Sequence, residues 1–161
     1  MKKILMVCMG NICRSPMAQA VLQKAIVDAK QTAHLSVDSA GTAAQHHGEK
    51  ADPRALAALK ARGYPPLRHR SRRVVPKDYE SFDLILAMDR HNMAELQKNC
   101  PAEHVKKLRL FLEITSPASD QQAAMELPDP YYGNRLGFEK VLDTIEKNIR
   151  EIMNKNSMDL L

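Results

Sequence analysis

Cys8-Met9-Gly10-Asn11-Ile12-Cys13-Arg14-Ser15 places a thiol, five intervening residues, a guanidinium and a hydroxyl in one short stretch. A loop that wraps back onto a helix start points the backbone N–H groups of Met9 to Ser15 inward, making an anion nest assisted by the helix dipole. Gly10 and Asn11 are the residues best able to take positive φ in so tight a turn. The Arg14 guanidinium can hold two phosphate oxygens in a fixed fork, as a lysine could not. The same positive field favours a thiolate at Cys8, to which Ser15 can donate. A thiolate inside a phosphate cradle is set for in-line attack on phosphorus. A bare thiol–five–arginine pattern is weak, and its bland alternative is a buried structural cysteine beside a surface arginine. The Gly-Asn pair, the hydroxyl and the flanking elements make it specific. A nucleotide-binding loop fits poorly, because no G-x4-G-K-[ST] is present. Cys13 has two compatible readings, a small apolar residue packed under the loop or a partner that traps oxidised Cys8 as a disulfide.

Cleavage of a phosphate ester also needs a proton delivered to the leaving oxygen. Asp129 sits in Leu127-Pro128-Asp129-Pro130-Tyr131-Tyr132-Gly133. The two prolines restrict the backbone on both sides of that carboxyl. Tyr131 and Tyr132 could wall a slot that stacks on an aromatic ring. A turn-forming aspartate is the competing reading of the same residues.

The flanking pattern predicts the elements that hold these groups. Lys3 to Cys8 is an apolar run suited to a buried parallel strand, and Ser15-Pro16 opens a helix. Leu35 to Ala40 alternates as a strand, and Asp52-Pro53 opens a helix through Arg62, closed by Gly63. Asp83 to Met88 predicts another buried strand, then a helix from Asp89 through Lys98. Leu108 to Leu112 predicts a fourth strand, residues 115–135 a long loop, and Phe138 to Asn154 an amphipathic helix. Alternating strands and helices indicate one α/β domain over residues 1–161 with a parallel sheet. Cys8 then falls at the carboxyl end of the first strand, where such sheets bind ligands.

Composition narrows the function classes. The 161 residues are 44% hydrophobic and 27% charged, a globular balance, with no apolar run able to cross a bilayer and no leader-like N-terminus. An unprocessed cytoplasmic protein is the expectation. The odd count of three cysteines argues against a disulfide framework, and no metal-binding pattern or cofactor motif is present. A net charge of +5 suits an anionic partner, and the basic cluster runs from Arg68 to Arg73. Nucleic acid is a poorer fit, because aromatics are only 4% and no base-reading motif accompanies the charge.

VCMGNICRSP at 7–16 together with DPYYG at 129–133 resembles the low-molecular-weight protein tyrosine phosphatases. VDSAGT at 37–42, DPRA at 52–55, SRRV at 71–74 and FDLILAMD at 82–89 also look like that family's motifs, in the same order. The resemblance implies a flavodoxin-like three-layer fold with a four-stranded parallel sheet, and hydrolysis of phosphotyrosine through a cysteinyl phosphate. It implies Cys8 as nucleophile, Arg14 as phosphate clamp and Asp129 as general acid and then base. It further implies Asn11 holding a left-handed bend supported by Ser15, Ser39 and His69, and a slot lined by Ile12, Tyr131 and Tyr132. The partners it implies are a phosphotyrosine protein, a tyrosine kinase among the candidates, and an oxyanion such as phosphate in the loop. The chain would act as a monomer or weak dimer, and both tyrosines could themselves accept phosphate. Two positions depart from the family pattern: Gln45 stands about where an aromatic wall is common, and Gln19 where Glu is common. Without that carboxylate His69 is expected to titrate lower. Thiol-linked arsenate reductases share the loop but need further paired cysteines, and Cys100 stands alone. A phosphoarginine branch typically has Thr where Ile12 stands, without the double tyrosine. A phospho-binding module without turnover is the remaining alternative.

Overall fold

The computed structural model describes residues 1–116 and 125–154. Four parallel strands, β1 (Lys2–Cys8), β2 (Leu35–Gly41), β3 (Leu84–Ala87) and β4 (Leu108–Leu110), form one sheet in the order β2-β1-β3-β4. Among the described residues four α-helices connect them, α1 (Arg14–Asp28), α2 (Pro53–Ala61), α3 (Pro76–Ser81) and α4 (Arg90–Asn99), and a fifth, α5 (Arg135–Asn154), follows the last strand. This is the expected three-layer α/β fold.

Period-two alternation along β1 sorts its side chains between two cores. Ile4, Met6 and Cys8 face α1, α2 and α5, with Leu22, Phe138 and Ile145. Leu5 and Val7 face the other side, with Tyr79, Ile85 and Leu96. On α5 the buried positions Phe138, Val141, Leu142, Ile145, Ile149 and Ile152 follow the helical repeat. Each such side chain removed from water stabilises the fold by about 1.5–3 kcal/mol.

Two boundaries and one helix differ from expectation. The terminal helix starts at Arg135, because Asn134 Oδ1 accepts from Leu136 N (3.1 Å) and Gly137 N (3.3 Å) and so caps an earlier turn. The fourth strand stops at Leu110 and a 3₁₀ turn, Leu112–Ile114, replaces its end. Helix α3 has no counterpart among the expected elements; Pro76 starts it, and Asp78 Oδ2 closes its first turn by accepting from Val75 N (2.8 Å). Some of the predicted 115–135 loop lies outside the described residues.

With β2 and β3 on either side of β1, strand order reverses beside β1. The crevice at such a reversal lies beyond the carboxyl ends of the strands. Cys8 ends β1 there, and Asp89 follows β3 at the same edge.

Candidate active site

The loop from Met9 to Cys13 leaves β1 and enters α1 through a bend at Asn11, whose φ is 55°. Among the described residues, the backbone N–H groups of Gly10 through Ser15 donate to no protein acceptor. Unpaired donors converging on one point at a helix start are what an oxyanion requires. The carbonyls are instead turned outward and held: Gly10 O accepts from Ser71 Oγ (2.9 Å), Asn11 O from His69 Nε2 (2.9 Å) and Ile12 O from Asp52 N (2.7 Å). At Gly41 a Cβ would stand 2.5 Å from Met9 O, so only glycine lets the loop rest on β2.

The left-handed Asn11 is fully buried, and its side chain stabilises that conformation. Its Nδ2 donates to Ser15 Oγ (2.8 Å) and Ser39 Oγ (3.0 Å), and its Oδ1 accepts from Arg72 N (3.0 Å). Ser15 Oγ accepts from Asn11, and its own proton can go to Cys8 Sγ, 3.0 Å away, or to the more distant Ala40 O at 3.5 Å.

Arg14 is 3% exposed and braced along one edge, with Nη1 donating to Asp89 Oδ2 (2.6 Å) and Leu127 O (2.9 Å). Burial opposes its charge, but Cys8, Asp89 and Asp129 outweigh that and raise the guanidinium pKa. Its Nη2 lies 3.6 Å from Asp129 Oδ2 and, among the described residues, makes no hydrogen bond. The fork is thus fixed in aim and open on the side that faces the cleft.

Asp129 is held by its neighbours rather than by a regular element. Its Oδ1 accepts from Tyr131 N (3.1 Å), closing a turn over Pro130. Arg54 ties that turn to α2: Nη2 donates to Tyr131 O (2.9 Å) and Nη1 to Gly133 O (3.3 Å). The Asp52 carboxylate, which also caps α2, receives Arg54 Nε (3.0 Å) and Nη2 (2.9 Å), and the Arg54 hydrogen bonds hold its pKa low. The Arg54 guanidinium lies 4.6 Å from the Phe138 ring centroid and 5.6 Å from that of Tyr131. Replacing Arg54 by Ala is expected to lower kcat roughly 10- to 100-fold by loosening the Asp129 loop. Steady-state kinetics should find the deficit non-additive with Asp129→Asn; additive losses would separate Arg54 from the acid.

The cleft is lined by Cys8, Ile12, Arg14, Asp129, Tyr131 and Tyr132, together with Gln45 and His46. Tyr131 and Tyr132 meet edge-on at 4.9 Å, and Tyr132 is 89% exposed. The wall opposite Tyr131 is shared by Gln45 and His46, whose ring centroid lies 6.1 Å from that of Tyr131. Some of the aromatic character missing at Gln45 is therefore supplied by the next residue, an imidazole whose Nδ1 is 2.8 Å from Glu49 Oε2.

The family model for low molecular weight phosphotyrosine protein phosphatase matches residues 3–159. The chain belongs to that family, and so to the hydrolases. It is 41% identical over 145 residues to a low molecular weight protein-tyrosine-phosphatase of Streptomyces coelicolor, covering 89% of this chain and 87% of the relative. It is 35% identical over 154 residues to the low molecular weight phosphotyrosine protein phosphatase of Homo sapiens, covering 96% and 95%. The crystal structure of a protein tyrosine phosphatase from Entamoeba histolytica with Hepes in its active site superposes with a TM-score of 0.90, at 38% identity and full coverage of both chains.

Of the residues singled out from the sequence, Cys8, Met9, Gly10, Ile12, Cys13, Arg14, Asp129, Tyr131 and Tyr132 line this cleft, while Asn11, Ser15, Ser39 and His69 form the hydrogen-bonded support behind the loop. The sequence marks Asp89 only as a helix start, yet one carboxylate serves two ends: Oδ1 caps α4 through Asn92 N (2.7 Å) and Oδ2 braces Arg14. Its place after a central strand is the signal that could have found it. Ser71, Arg72 and Arg54 lie inside the quoted motifs, but the contacts by which they hold the two site loops cross 61 or more residues and no local pattern reports them.

Two titrations follow from burial. Burial pushes the Cys13 thiol up, and Asp52, Cys8 and Asp129 push it the same way, so the resting residue is a protonated, packed thiol. Burial lowers the His69 pKa below its usual 6.5; the Asn11 carbonyl and Asp38 oppose this, while Arg72 assists. Since Asn11 O can only accept, Nε2 carries the proton of the neutral ring. The link to Gln19 is indirect: Ser39 Oγ donates to Gln19 Oε1 (2.5 Å) and lies 3.5 Å from His69 Nδ1. A depressed pKa means this stability is fully present above the unfolded value and is lost as pH falls through the folded one. Urea midpoints should therefore drop below pH 6.5 more in wild type than in His69→Asn. Gln19→Glu should raise the His69 pKa in an NMR titration; an unchanged pKa would remove Gln19 from the account.

Proposed function

We propose that this chain hydrolyses phosphotyrosine in proteins and peptides, and small aryl phosphates, through a phosphate carried on Cys8. The Cys8 thiolate attacks phosphorus while the Gly10–Ser15 amides and the Arg14 fork hold the equatorial oxygens. The P–O bond to the leaving phenol breaks, and Asp129 delivers a proton to that oxygen. In the second step Asp129 takes a proton from water as it attacks the cysteinyl phosphate, releasing phosphate and restoring the thiolate. Ile12, Tyr131 and His46 line the slot that would receive the ring, apolar and aromatic surface that suits a phenol ester better than a serine phosphate.

The observation that carries this reading is the cradle itself: Cys8, Arg14 and Asp129, the last 3.6 Å from the Arg14 Nη2, line one cleft with Gly10, Ile12 and Cys13 of a loop whose N–H groups from residue 10 to 15 have no acceptor among the described residues. The test is phosphate release from matched phosphotyrosine, phosphoserine and phosphoarginine peptides. Release from phosphotyrosine alone is the expected result. Preference for phosphoarginine would contradict the substrate, and no release from any would contradict the chemistry. A kinase bearing phosphotyrosine is a fitting protein substrate.

A further inference from the structure

The phosphatase reading gives His69, Ser71 and Arg72 of the basic cluster a part in holding the loop and leaves Arg68 and Arg70 without a role. Arg68 and Arg70 border a second cavity of ≈ 850 Å³ between α2 and residues 64–70. Its apolar surface comes from Leu56, Leu59, Tyr64 and Leu67, and its rim from Lys50, Lys60, Arg68 and Arg70, with no acidic residue in the lining among the described residues. The charge pairing elsewhere differs. Arg14, Arg54, Arg62 and Arg72 each face a carboxylate at 3.0 Å or less. Among the described residues, the side chains of Lys50, Lys60, Arg68 and Arg70 enter no ion pair or hydrogen bond. Four like charges around one apolar concavity repel one another, and a complementary anion relieves that repulsion.

The cavity adjoins the catalytic cleft. His46 lines the cleft and Lys50 the cavity, and the four residue steps between them span at most ~14 Å. His69 also lines the cavity while its Nε2 holds the Asn11 carbonyl. A polypeptide with phosphotyrosine at Cys8 needs only about four further residues to cover that distance.

We infer that this cavity docks an acidic segment of the phosphotyrosine substrate itself, carrying an apolar side chain that seats on Leu56, Leu59 and Leu67 while Asp or Glu residues meet the four cations. The inference rests on the phosphotyrosine reading and adds a specificity determinant outside the reacting centre.

The test uses the whole chain with phosphotyrosine peptides of one core sequence. One carries no extension. Another carries an Asp/Glu-rich, leucine-containing extension beginning about four residues from the phosphotyrosine, made on each side in turn. A third replaces the acidic residues by lysine. The acidic extension on one side is expected to lower KM roughly tenfold at low salt with kcat unchanged, and the gain should shrink as salt is added. Lys60→Glu/Arg70→Glu should erase that gain and still hydrolyse p-nitrophenyl phosphate at the wild-type rate. An equal gain from the lysine peptide, or one that survives the double variant, overturns the inference.

Anisotropy of a labelled, unphosphorylated acidic peptide separates the cavity from the chemistry. Binding abolished by the double variant supports the cavity even in a chain that hydrolyses nothing. Absence of both binding and the KM gain overturns it, whatever the rate on aryl phosphates. Binding to phosphatidylserine vesicles, or self-association, that is lost in the double variant without any peptide preference reassigns the surface and overturns it as well.

Discussion

Cys8→Ser is expected to lose phosphotyrosine turnover by roughly 10⁴ to 10⁶ in kcat, while phosphate still binds. The loss is severe because the hydroxyl stays protonated where the thiol can ionise, and no other nucleophile replaces it. Binding survives because the cradle is built from backbone N–H groups and Arg14, none of which depends on the sulfur. Serine keeps a polar atom near Ser15 Oγ, which already accepts from Asn11. Phosphate affinity by calorimetry beside rates on phosphotyrosine peptide separates the two effects. A variant that retains more than about a hundredth of wild-type kcat would mean that Cys8 is not the nucleophile.

Asp129→Asn should cost about 10² to 10⁴ in kcat on phosphotyrosine and much less on an aryl phosphate with a good leaving group. Tyrosine leaves as a basic oxygen that needs a proton in the transition state; a nitrophenolate carries its own charge. Asparagine keeps an oxygen to accept from Tyr131 N, so the turn over Pro130 should stand and the change reads chemistry rather than loop collapse. A rate series over substituted phenyl phosphates measures this directly. Equal deficits across the series would move the acid role to another residue.

How much of this is legible in the sequence depends on range. The strands, four of the helices and the Cys8–Ser15 loop follow from local apolar runs, caps and loop residues, and each spans only a few residues. Asp129 is only the favourite until the family resemblance is added, because Pro-Asp-Pro also suits a plain turn. What escapes is long-range. Asp89 meets Arg14 across 75 positions, and Arg54 reaches the tyrosine loop across 77, and neither pairing leaves a periodic trace. Helix α3 escapes for the opposite reason, being a single short stretch begun by Pro76 and capped by one carboxylate. Gln45 points to an aromatic wall that would be missing, and the imidazole of His46 shares that position.

Two rival chemistries meet specific obstacles in the fold. An arsenate reductase relay would need a cysteine able to reach Cys8 after the loop pair is used. Cys100 caps the far end of α4, about 16 Å along the helix from Asp89, and burial raises its pKa. A phosphoarginine site needs polar contacts for a guanidinium. Ile12 and Tyr131 instead offer apolar and aromatic surface in the cleft.

The most direct measurement of the central claim is rapid acid quench during turnover of a phosphotyrosine peptide, followed by mass mapping of the chain. Phosphate attached to the peptide that contains Cys8, accumulating in Asp129→Asn if the second step slows more than the first and absent in Cys8→Ser, is the predicted result. Continued hydrolysis with phosphate on no residue, or on a residue other than Cys8, would contradict the account.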